Sequence, residues 1–138
     1  MKKIIHLSDL HVGYEKCGDR FHALIENISF LKQPADKYII VITGDLVDNA
    51  TNPELAVEAS AGIEQFEKLG YRVLAVPGNH DYGTGTIGYE KFVGLFKETY
   101  FKTKEISYPK LDIIEEIAFM GLDSTEEELH WFDRFLCQ

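Results

Sequence analysis

Cysteine is scarce in this chain. Its 138 residues hold two, Cys17 and Cys137, too far apart in sequence to suggest a disulfide framework. Reduced thiols and a cytoplasmic setting are the expectation that follows. Long apolar runs are missing as well. No stretch approaches the roughly 18 apolar residues of a membrane span. Met1-Lys2-Lys3 followed by Ile4-Ile5-His6-Leu7 is too short and too interrupted for a signal peptide. Positive charge is in short supply, with 14 Lys and Arg against 23 Asp and Glu and a net charge of −9. That argues against a general nucleic-acid binder, whose phosphate contacts need a basic surface. It leaves room for a phosphorylated substrate, because bound cations reverse the local field. Repeats, linkers and low-complexity segments are also lacking, so residues 1–138 read as a single domain.

What is present is a core. Apolar residues make up 45% of the chain, enough to bury a folded interior and too many for disorder. Residues 3–8 predict a buried strand. Residues 19–32 predict a helix, with Phe21, Leu24, Ile25, Ile28 and Leu31 on one face. Residues 38–44, "YIIVITG", form a continuous β-branched run, as in a central parallel strand covered on both faces. Asn52 reads as the N-cap of a second helix, with Pro53 at its first position, an apolar stripe of Leu55, Ala59, Ile63 and Phe66, and Gly70 closing it. Residues 71–76 predict a third strand, and a short helix is expected near 89–97. From residue 104 the pattern suggests two or three strands with tight connections. A final helix is expected from Ser124, whose spacing to Glu127 fits a capping box. Strand–helix alternation predicts an α/β sheet with right-handed crossovers.

The three apolar strands share an oddity: each runs into polar residues. The first ends in Asp9-Leu10-His11, the second in Gly44-Asp45-Leu46-Val47-Asp48, and the third in Gly78-Asn79-His80-Asp81. Singly, each reads as an ordinary strand-ending turn. In a parallel sheet, however, the carboxyl ends of the strands lie side by side, and ligands bind there. Asp9, His11, Asp45, Asn79 and His80 are therefore expected to converge. Carboxylate, imidazole and amide oxygen together suit borderline divalent ions such as Mn, Fe, Zn or Co rather than an all-oxygen calcium cage. One carboxylate can bridge two ions, and Asp45, on the middle motif, is the candidate for that bridge. Two ions about 3.5–4 Å apart clamp a phosphate and acidify the attacking water. A flavodoxin-like domain with acidic strand ends around one Mg²⁺ is a competing reading, but it needs neither the Asp-x-His nor the Asn-His-Asp sequence.

"DLH", "GDLVD" and "GNHD", in this order, resemble the first three signature blocks of the calcineurin-like metallophosphoesterase superfamily, over Ile4 to Asp81. The later "AFMGLDSTEEELHWFDRFL" is similar to the strand and helix that follow in many bacterial members. The resemblance implies an α/β/β/α sandwich and hydrolysis of phosphate mono- or diesters. It implies Asp9 and His11 on a first metal, Asp45 bridging both metals and Asn79 on the second. It places His80 near the leaving-group oxygen as general acid or charge stabiliser, with Asp81 orienting it. Asp48 takes no ligand role from the resemblance and reads as a solvated loop acid.

The family's later histidine and its Gly-His-x-His block have no counterpart in these residues. After Asp81 the only histidine is His130, which reads as an ordinary helical residue. By this count the first metal keeps Asp9, His11 and Asp45, while the second keeps Asp45 and Asn79. The chain therefore resembles the amino-terminal half of the sandwich, and a homo-oligomer, a complementing partner chain or a marginal monomer is expected. The alternative to an enzyme is a catalytically incomplete fragment or subunit that binds one metal and associates with another chain.

Overall fold

The computed structural model describes residues 1–125. Three parallel strands form its main sheet in the order β1 (Lys3–Leu7), β2 (Tyr38–Thr43) and β3 (Arg72–Val76). The register pairs Lys3 with Tyr38 and Leu7 with Ile42, then Ile39 with Arg72 and Thr43 with Val76. Helix α1 (Cys17–Ser29) connects β1 to β2, and α2 (Pro53–Lys68) connects β2 to β3. A third helix, α3 (Glu90–Phe101), follows β3. The antiparallel hairpin β4 (Lys110–Ile114) and β5 (Ile117–Gly121) makes a separate two-stranded sheet.

Alternation along the strands decides which face is covered. Ile5, Leu7, Ile40, Ile42, Val73 and Ala75 point into one core with Phe21, Ile25 and Ile28 of α1 and Ala59, Ile63 and Phe66 of α2. Phe92, Val93 and Phe96 of α3 join the same cluster. Gly62 lets the two crossover helices close on each other, since a Cβ there would lie 2.2 Å from the Phe21 ring. The Asn52 side chain caps α2 by accepting from the Glu54 N–H at 3.1 Å, and Pro53 begins the helix. The hairpin leans on the opposite face of the sheet near β3, where Gly121 meets Val76 and Arg72 lies 3.8 Å from Asp112.

Several expectations need correction. β1 is an edge strand rather than a buried one: Ile4 is 54% exposed and His6 is exposed, because among the described residues no strand pairs beyond it and the helices cover only its other face. Helix α1 starts two residues early and ends at Ser29, so Leu31 lies past the helix and outside its apolar stripe. Helix α3 is longer than expected, because its apolar face continues through Phe96 and Tyr100 and ends only where Lys102 turns left-handed at φ 59°. The final helix, His130 and Cys137 lie outside the described residues. Among the described residues no helix is long and apolar enough to cross a membrane.

Candidate metal centre

The loops after β1 and β2 stay paired beyond the strands. Asp9 donates its N–H to Gly44 at 3.2 Å, His11 to Asp45 at 2.9 Å and Val12 to Leu46 at 3.0 Å. Asp48 returns a bond from its N–H to the Val12 carbonyl at 3.0 Å. This zipper sets "DLH" and "GDLVD" side by side at the carboxyl edge of the sheet. Asp9, His11 and Asp45 all adopt positive φ, at 53°, 42° and 52°. Such backbone is costly for residues with a Cβ, and it clusters where side chains must be aimed at a site.

The loop after β3 closes against these two. Gly78 makes the approach possible: a Cβ there would lie 2.2 Å from Asp45 Oδ1. The His80 N–H donates to Asp45 Oδ1 at 3.0 Å. Asp81 is 3% exposed. Its Oδ1 accepts from the N–H groups of Leu46 at 2.9 Å and Val47 at 3.2 Å, and its Oδ2 accepts from Gly78 at 2.9 Å. Burial pushes the Asp81 carboxyl up to about 7, with those three donors opposing the rise. These bonds run to main chain, not to the His80 ring. His80 Nδ1 is instead 2.5 Å from the Asp48 carbonyl oxygen.

Two groups of ligand-type atoms result. Asp9, His11 and Asp45 each bring one such atom within 4.8 Å of the others, and so do His11, Asp48 and His80. His11 belongs to both, with Nε2 3.8 Å from Asp45 Oδ2 and Nδ1 3.4 Å from Asp48 Oδ1. The His11 and His80 rings meet edge to face at 4.6 Å between centroids. Asn79 donates its amide N–H to the Gly85 carbonyl at 2.6 Å, which leaves its amide oxygen as the ligand-type atom. The residues fit a divalent cation on two counts. The donor set joins carboxylates to imidazole, and His11 Nδ1 is buried with no hydrogen-bond partner.

Asp48 is the residue that the sequence reading missed. It is half-buried and faces both histidines, where a solvated loop acid was expected. Its signal in the sequence was the spacing alone, three residues after Asp45 on the same loop.

Comparison with known proteins agrees with this geometry. The family model for calcineurin-like phosphoesterase matches residues 2–136. A probable cyclic nucleotide phosphodiesterase of Coxiella burnetii is 33% identical over 82 residues, covering 57% of this chain. The match spans 32% of that relative's length. With three metal-type motifs gathered at one sheet edge and a family match over nearly its whole length, the chain belongs to the calcineurin-like phosphoesterase family.

Proposed function

We propose that this chain hydrolyses phosphate mono- or diesters at a divalent-metal centre. Asp9, His11 and Asp45 hold one ion, and Asp45 with Asn79 reaches a second. The observation that carries the proposal is the gathering of ligand atoms from Asp9, His11 and Asp45 within 4.8 Å of one another, on loops that follow adjacent parallel strands. A bound divalent ion supplies Lewis-acid stabilisation of phosphoryl charge and an acidified water. The chain's own groups position the reaction. Asp45 shares its two oxygens between the His80 N–H and the His11 side. His80 Nδ1 donates to the Asp48 carbonyl, so Nε2 is the ring atom left to face the departing oxygen, and it passes a proton there only from the doubly protonated ring. Asp81 acts as the brace that joins the second and third loops.

Manganese is the first ion to try, and the name of the Coxiella relative makes a cyclic nucleotide the first natural substrate to try. A reducing cytoplasm suits the two cysteines. The purified chain, assayed with a chromogenic phosphodiester and Mn²⁺, is expected to turn over. Asp45→Asn is expected to reduce that rate to background, and an unaffected variant rate would refute the centre.

A second reading is a metal-binding subunit that needs another chain to act, or an oligomer of this one. It is favoured by the outer hairpin face, where Leu111, Ile113, Met120 and Leu122 are 57%, 70%, 66% and 61% exposed. Under this reading Mn²⁺ stabilises the chain while the assay shows no turnover.

A further inference from the structure

We infer that Gly85 is a positioning residue for the proposed centre. Its carbonyl sets the Asn79 amide, and its missing side chain keeps the outer edge of the His80 ring clear. The inference rests on the proposed roles of Asn79 and His80.

The loop that carries Gly85 is braced. Gly83 and Gly88 form an antiparallel bridge, Thr84 donates its N–H to the Ile87 carbonyl at 3.0 Å, and Tyr89 donates to Tyr82 at 2.8 Å. Ala50 anchors the loop to the second motif by donating to the Gly83 carbonyl at 2.8 Å. Gly85 lies inside this turn at φ +82°. Its carbonyl accepts from Asn79 Nδ2 at 2.6 Å. An amide whose nitrogen is engaged in this way presents its oxygen elsewhere, and oxygen is the end that binds a cation. A flipped Asn79 would set two acceptors against each other at Gly85.

The second contact concerns His80. A Cβ at position 85 would lie 2.2 Å from His80 Nε2, 2.3 Å from Cε1 and 2.7 Å from Cδ2. The ring has no easy retreat, since Nδ1 is held by the Asp48 carbonyl and the His80 N–H by Asp45. Any side chain at position 85 therefore covers Nε2 or dislodges the ring. Glycine is required here for the space above an imidazole as well as for its dihedral freedom.

The test must separate contact from backbone strain. Gly70 has a similar φ of +92°, and a Cβ there would meet only the Ala35 Cβ at an ordinary 3.5 Å. Gly70→Ala therefore carries the strain without touching the centre. Gly85→Ala and Gly85→Asn both place a Cβ against the ring, and asparagine tolerates positive φ better, which keeps the test valid should the alanine variant not fold. Two measurements apply: the NMR signals of the His80 imidazole in metal-free protein, and the rise in Tm produced by Mn²⁺. Both Gly85 variants are expected to shift the His80 signals and to weaken Mn²⁺ binding by about 10–100-fold. Gly70→Ala is expected to lower Tm and leave both readouts as in wild type. Unchanged His80 signals and an unchanged Mn²⁺ response in Gly85→Asn would overturn the inference. Should Asn79→Ala keep the full Mn²⁺ response and His80→Ala keep full turnover, the proposed centre itself falls, a result distinct from failure at Gly85 alone.

Discussion

Asp81 shows why residue identity and residue role are different questions. The tripeptide Asn79-His80-Asp81 suggests an acid that orients its neighbouring imidazole. The carboxylate instead turns inward and gathers the N–H groups of Leu46, Val47 and Gly78. Truncating it would leave buried donors without partners, each costing about 1–3 kcal/mol. Asp81→Ala is therefore expected to lower unfolding free energy in urea by at least about 2 kcal/mol, even in metal-free protein. A residue that acted only on His80 would leave metal-free stability near wild type. Asp48 is the converse case, because it looked incidental and the loop zipper turns it toward both histidines.

At the scale of elements, α2 follows its sequence closely because every signal agrees. Its cap, its first-turn proline, its stripe and its closing glycine all favour one helix between Pro53 and Lys68. Asn52→Ala removes the cap to Glu54 and is expected to cost about 1 kcal/mol. Phe66 is fully buried and packs edge-on to Phe21 and Tyr71. Phe66→Ala is expected to cost about 3–5 kcal/mol, readable as a large drop in urea midpoint with little change in slope. Strand β1 was less legible. Ile4 and Ile5 look alike in sequence, yet one faces the core and the other is half exposed. Which face of an apolar strand is covered depends on what packs there, and periodicity cannot report that.

For the whole molecule, the carboxylates of Asp9, Asp45 and Asp48 on the first two loops meet His80 of the third at one edge of the sheet. Without a cation, like charges held close oppose folding. A divalent ion that binds only the folded chain should offset this by mass action, about 2.7 kcal/mol at a hundredfold excess over Kd. Mn²⁺ is therefore expected to raise Tm by several degrees, with excess chelator reversing the change. Calorimetry with and without Mn²⁺ checks it, and an unmoved Tm would count against an ion in the site. The apolar outer face of the hairpin belongs to this scale too. If it meets a second copy, Ile113→Lys with Met120→Lys is expected to reduce self-association in sedimentation, with the main core intact because both side chains are exposed.

The sequence by itself determined the order of strands and helices, the parallel sheet and the three motifs at its carboxyl edge. Local patterning and capping carry that information, and the topology of parallel strands does the rest. Tertiary structure alone decided where the polar side chains point: the inward Asp81, the inward Asp48, the Asn79 amide held by Gly85. Those directions come from left-handed turns and long-range backbone bonds, such as His11 to Asp45 and Leu46 to Asp81. Such bonds join residues 34 or 35 positions apart, beyond the reach of any local pattern.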